Sequence, residues 1–292
     1  MNFQQWRASG KHFLYKNKYS IFYQQAGAGK VLLLLHGFPT ASWDWHRLWP
    51  DLAQDYHLIA PDFIGFGYSD KPRRYNYSIL DQADMVEALL DHLQIKEVEV
   101  LSHDYGDTVL QELLARMIDR KKNGQAGLEL RSIILLNGGL MPESHQPRPI
   151  QKALISPIGI LLTPFLNKAR LRSNFHAIFG PDTQPTEQEI DEFYALMDHH
   201  NGKYIFHKLI RYMAERRRFR ERWVGALQNS PVPIRLINGA ADPISGKHMA
   251  ARYSELVPNP DVVLLDTIGH YPQTEAPEEV LKGCREFWGR GI

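Results

Sequence analysis

The apolar positions of this chain alternate between strand-like and helix-like spacing. Residues 19–24 alternate weakly, as a strand does, and residues 31–35 are an unbroken apolar run that ends in His36-Gly37. A short run of this kind reads as a strand buried on both faces. Residues 58–61 predict a third strand, ending at Asp62. Residues 78–81 then form S-x-x-D, a capping-box pattern, followed by Met85, Val86, Leu89, Leu90 and Leu93 at helical spacing. Val98, Val100 and Leu101 predict the next strand, and Val109, Leu110, Leu113, Leu114 and Met117 the next helix face. Residues 133–136 predict a further strand that runs into Asn137-Gly138-Gly139.

Strand, helix, strand, helix argues for a mostly parallel sheet with helices on both faces, an α/β fold. The alternation stops between residues 140 and 228, where only helix-like stretches appear, near 187–197 and 203–227. It resumes with strands at 234–237 and 262–265 and helices at 245–256 and 277–288. The expected organisation is a core of residues 1–139 and 229–292 with a helical cap, 140–228, over the carboxyl edge of the sheet. Open α/β sheets hold their ligands at that edge. No internal repeat or low-complexity segment interrupts this pattern.

Length and charge narrow the picture a little. A chain of 292 residues accommodates one large α/β core with an inserted lid. The net charge of +1 gives no reason to expect nucleic acid as a partner. The single cysteine, Cys284, excludes an internal disulfide, and the first residues carry no apolar run of a secretory signal, so a cytoplasmic location is expected. The most apolar stretch, 153–166, is shorter than the ~20 residues a membrane span needs and contains Pro157, Gly159 and Pro164. It is expected to be a buried or pocket-facing lid segment; the alternative is a surface that touches lipid.

The chemistry centres on residues 101–107, LSHDYGD, which pass from a strand directly into a helix. A nucleophile elbow needs small residues two before and two after the nucleophile, because the turn is tight. Ser102 and Gly106 occupy those places around Asp104. Centring the pattern on Ser102 would put Val100 and Asp104 where small residues are required, so Ser102 is not the nucleophile. His270, in the Gly-His-Tyr-Pro loop after the last strand, and Asp242, in the loop after the strand at 234–237, complete the order nucleophile, acid, histidine. Glu143 is the alternative acid. The backbone N–H groups of Phe38 and Tyr105 are the expected oxyanion donors. Nothing in these motifs calls for a metal or a cofactor, and none is expected.

HGFPT at 36–40, GFGYSDKP at 65–72, SHDYGD at 102–107 and GHYP at 269–272 resemble the epoxide hydrolase and haloalkane dehalogenase branch of the α/β-hydrolases. Within it, SDKP at 69–72, NGG at 137–139 and ERWVGAL at 221–227 are similar to the mesoderm-specific transcript-like hydrolases. The resemblance implies an aspartate nucleophile that forms an alkyl ester with a small hydrophobic substrate, hydrolysed by water. Dehalogenases of the branch typically carry tryptophan after the nucleophile and often asparagine after the His-Gly. Tyr105 and Phe38 stand there instead, so an epoxide is the expected substrate and a haloalkane the alternative. Epoxide opening in the branch uses cap tyrosines. Of Tyr194, Tyr204 and Tyr212, the last is the candidate proton donor, and a convincing second one is absent.

Residues 211–222, RYMAERRRFRER, hold six arginines interlaced with Glu215 and Glu221. They are expected to form a solvated helix face. The alternative is contact with an anionic membrane or a partner through the cap, and a further reading is a weakly catalytic, membrane-associated or binding protein that keeps the fold.

Overall fold

A computed structural model describes residues 1–290. Eight strands form one sheet: β1 Lys11–Tyr15, β2 Tyr19–Ala26, β3 Val31–Leu35, β4 His57–Pro61, β5 Glu97–His103, β6 Glu129–Leu136, β7 Ile234–Gly239 and β8 Asp261–Leu265. Their spatial order is β1-β2-β4-β3-β5-β6-β7-β8. β1 and β2 form an antiparallel hairpin, β2 runs antiparallel to β4, and the rest of the sheet is parallel. The centre of the sheet is where the apolar runs lie. Leu32 to Leu35 are all fully buried, as a strand covered by helices on both faces must be.

The sequence pattern finds seven of these strands and misses β1. In β1 only Tyr15 is buried, and the strand lies at the sheet edge. Its side chains therefore alternate too weakly to read. The capping box at Ser78 is half formed. The Ser78 hydroxyl accepts from Asp81 N, but the Asp81 carboxylate accepts from the Tyr15 and Tyr75 hydroxyls instead of turning back.

Between β6 and β7 there is no strand, and helices Pro149–Ile155, Lys168–His176, Glu187–Asp198, Tyr212–Arg218 and Arg220–Gln228 carry the chain. The helix-like stretch over 203–227 is divided into several helices, because the turn around Ile210 and the kink at Phe219 interrupt it. Two expectations need correction. In 153–166, Ile158, Ile160, Leu161 and Phe165 are not buried but face water. In the arginine run, Arg216 is not solvated but is among the buried residues.

The parallel strands all deliver their loops to one edge. β3 leads to Phe38, β5 to Asp104, β6 to Asn137, β7 to Asp242 and β8 to His270. Five separate sequence segments therefore meet at the carboxyl edge, beneath the helices that follow β6.

Candidate active site

The turn after β5 places Asp104 in the left-handed region, at φ 43° and ψ −97°. Such a conformation in a non-glycine residue costs of order 1–3 kcal/mol and persists only where the surroundings enforce it. Here Asp104 N donates to Leu136 O and Gly106 N to His36 O. A β-carbon on Gly106 would lie 2.2 Å from Leu35 O, so glycine is required there. The carboxylate is thereby aimed over the sheet edge, at the start of helix Tyr105–Lys122.

Phe38 N donates to Asp104 Oδ2 at 3.2 Å. Tyr105 N–H lies in the first helical turn and so has no intrahelical acceptor. Of the two N–H groups named from the sequence, that of Phe38 therefore meets the Asp104 carboxylate directly. Another partner was not foreseen. Arg216 Nη2 donates to Asp104 Oδ1 at 3.3 Å and to the Asp104 backbone carbonyl at 3.0 Å. Its Nε donates to Thr108 Oγ1 at 2.7 Å, and its guanidinium stacks over the Tyr212 ring at 4.5 Å. Burial alone would raise the Asp104 pKa, but Arg216, then His270 and His103, outweigh it and hold the carboxyl below its usual range.

His270 Nδ1 and Asp242 Oδ2 are 2.7 Å apart. The same Asp242 oxygen accepts from Asn137 Nδ2, Ser245 N and the Ser245 hydroxyl, while Oδ1 accepts from Ile244 N. Burial opposes its charge, but His270 and these donors prevail and bring its pKa down to about 2. Burial would likewise lower the pKa of His270. The Asp242 charge and hydrogen bond, with the Asp104 charge, overcome it and raise the imidazole to about 9. His103 sits behind, its Nε2 bonded to the His270 carbonyl at 2.8 Å.

The alternatives fall elsewhere. The Ser102 hydroxyl is buried in β5 and donates to Asp107. Glu143 is bound by Arg220 at 2.7 Å and Arg252 at 3.3 Å. Tyr212 is buried, its ring edge-on to Tyr105 at 4.9 Å. Burial and the nearby Asp104 charge raise its pKa well above the ordinary phenol value, so it stays protonated. Beside Arg216, burial and the guanidinium press His145 down to about 3, so this ring is neutral.

Asp104 and His270 both line one cleft. Its walls are mainly apolar, from Phe38 and Ile244 on the core side to Leu154, Leu171, Phe175 and Met197 on the helices after β6. A carboxylate, an acid-braced imidazole and the Phe38 N–H around one apolar cleft can support a covalent displacement followed by hydrolysis.

Arg216 and Asn137 are the residues that sequence reasoning passed over. Asn137 lay in plain view in the NGG segment. Arg216 lay in a run whose charge density suggested water, and only its neighbour Tyr212 was singled out.

The family model for the alpha/beta hydrolase fold matches residues 30–154. The chain is 43% identical to the mesoderm-specific transcript homolog protein of Bos taurus, over 97% of this chain and 86% of that one. Among solved structures it is similar to the epoxide hydrolase CorEH, with a TM-score of 0.76 and 22% identity over 97% of this chain and 99% of that one. It is also similar to the haloalkane dehalogenase DbeA from Bradyrhizobium elkani, with a TM-score of 0.78 and 23% identity over 96% and 97%. At these identities the structural likeness speaks to the fold alone, while the sequence relationship spans nearly the whole chain. The chain belongs to the α/β-hydrolase fold family, among the relatives of the mesoderm-specific transcript protein.

Proposed function

We propose that the protein is a hydrolase in which Asp104 forms a covalent alkyl ester with a hydrophobic epoxide, and that His270 then directs water to that ester. The observation that carries this reading is the environment of Asp104. A buried carboxylate, held ionised by Arg216, occupies the elbow and faces an apolar cleft beside a histidine braced by Asp242.

In the first step an Asp104 oxygen attacks a ring carbon of the epoxide. The carbon–oxygen bond of the ring breaks, and the departing oxygen takes the Tyr212 proton. A carboxylate attacking an acyl carbon would give an anhydride, whereas attack at saturated carbon gives an ester stable enough to await water. In the second step His270 removes a proton from water as the oxygen adds to the Asp104 acyl carbon. Phe38 and Tyr105 N–H stabilise the oxyanion. Collapse expels the alkoxide, which takes the His270 proton, and the diol leaves. The proton released with the regenerated carboxylate restores the Tyr212 phenol.

The charges order these steps in time. While Asp104 is ionised it helps keep His270 protonated, and an imidazolium is no base. Esterification removes that charge, so the His270 pKa falls and the imidazolium releases its proton to solvent as a base is needed; the imidazole takes a proton back from solvent once the Asp104 charge is restored.

The deciding experiment is mass spectrometry of His270→Gln after exposure to panels of alkyl epoxides and haloalkanes. An ester on the peptide carrying Asp104, absent from Asp104→Asn, is expected. Absence of any adduct from both panels would reject the covalent reading. Diol formation against halide release by the unaltered protein separates the epoxide from the haloalkane substrate.

A further inference from the structure

Among the described residues the fold leaves one cluster of large apolar side chains in water. Ile158, Ile160, Leu161 and Phe165 are 60%, 55%, 67% and 69% exposed. Ile158 caps, and the other three lie in, two short helical turns, Gly159–Leu162 and Thr163–Phe165, between helices Pro149–Ile155 and Lys168–His176. The residues flanking them point the other way: Ile150, Leu154 and Leu166 line the cleft that holds Asp104. One segment therefore presents an apolar outer surface and an apolar cleft wall back to back.

The charge around this surface is one-sided. Residues 144–181 contain five lysines and arginines and no acidic residue, in a chain whose net charge is +1. Lys168 pairs with Asp191 and Arg172 with Glu187. Among the described residues Arg148, Lys152 and Arg170 form no salt bridge, and Arg148 and Arg170 stand at the cleft itself. Apolar side chains alone would suit any greasy partner. The uncompensated cations beside them select a negatively charged one. A second copy is disfavoured, because a two-fold contact would set two such basic segments against each other.

We propose that this segment docks the protein on a lipid bilayer with anionic headgroups. Ile158, Ile160, Leu161 and Phe165 enter the acyl boundary, the exposed Lys152 and Arg170 meet the phosphates, and the cleft receives its apolar substrate from the bilayer. Among the described residues no helix is long and apolar enough to cross a membrane, so the contact is with one surface. Docking is separate from the chemistry of Asp104 and is read without substrate.

The test is co-sedimentation of the full chain with vesicles of phosphatidylcholine alone or mixed with phosphatidylserine. Stronger binding to the mixed vesicles is expected, weakening with salt. Leu161→Asp with Phe165→Asp should lower partitioning at least about tenfold while leaving the thermal melt and turnover of a water-soluble substrate unchanged, because both side chains lie outside the cleft. Lys152→Glu with Arg170→Glu should remove the preference for anionic lipid. The proposal is overturned if the unaltered protein sediments with neither vesicle, or if the Asp variants bind as well as it does. It is also overturned if light scattering finds a dimer that the same Asp variants dissociate, which would assign the surface to a second copy.

Discussion

Arg216 grips Asp104 at two points, with one nitrogen 3.0 Å from its backbone carbonyl and 3.3 Å from Oδ1. Both side chains are buried, so each charge depends on the other for compensation. Arg216→Met is expected to raise the Asp104 pKa, because Arg216 is the strongest influence opposing the effect of burial. The acid limb of ester formation should move to higher pH, and urea unfolding should show a loss of about 3–5 kcal/mol, the usual cost of breaking a buried pair. Rapid-mixing measurement of ester formation in the His270→Gln background reports the limb directly. An unmoved limb would remove Arg216 from any role in tuning the carboxylate.

Gly139 tests the same contact without removing either charge. A β-carbon there would lie 2.1 Å from Arg216 Nη1 and 3.0 Å from His145 Nδ1. The guanidinium ends a flexible side chain and can yield where backbone could not. Gly139→Ala should therefore shift the acid limb in the same direction as Arg216→Met, at a stability cost nearer 1 kcal/mol. Combined with Arg216→Met it should add almost nothing further to the pH shift, since both act through one guanidinium. An additive double variant would mean that Gly139 acts through something else.

These two residues also mark what the sequence could and could not say. Asp104, Asp242 and His270 each follow a strand legible from its apolar run, and the elbow's small residues identify the first of them. Backbone topology alone brings such residues to one edge. Arg216 arrives through the packing of a broken helix against Thr108 and Tyr212, and no local pattern distinguishes it from Arg217 and Arg218 beside it. Periodicity reports which face is apolar; it does not reveal that a charge on the inner face has a buried partner more than a hundred residues away. The outward turn of Ile158, Ile160, Leu161 and Phe165 escaped for the converse reason. An apolar run reads as core unless the fold withholds a partner from it.

Tyr212→Phe separates the two leaving groups. An alkoxide needs a proton as it departs, whereas a halide does not. The variant should slow epoxide opening by ~10²–10⁴-fold, the range for losing a general acid. Ester formation from a haloalkane should change by less than about threefold, because the ring packing against Tyr105 and Arg216 is kept. Comparing burst amplitudes and rates for the two substrate types measures this. Equal loss with both would assign Tyr212 to holding Arg216 in place and not to proton donation.

The Asp242–His270 pair makes a prediction about pH that separates the two half-reactions from folding. The folded imidazole titrates at about 9 against an ordinary value of 6.5. Since the folded value is the higher, the pair's stabilisation is fully present below pH 6.5. It declines as pH rises and is lost once pH passes about 9. The melting temperature should fall across that window, and His270→Gln should remove this part of the slope. Asp242, held at about 2, acts in the opposite sense: its contribution is present above its ordinary 3.8 and disappears toward pH 2. Ester formation needs ionised Asp104 and the protonated Tyr212 phenol, both present through neutrality, and should be flat there. Ester hydrolysis needs neutral imidazole, so its rate should rise with pH to a plateau. Its midpoint should lie below 9, because the esterified Asp104 no longer contributes the charge that raises His270 in the free protein. Single-turnover decay of the ester across pH 5 to 10 gives that midpoint. A value at or above that of the free protein would show that the Asp104 charge does not govern the histidine.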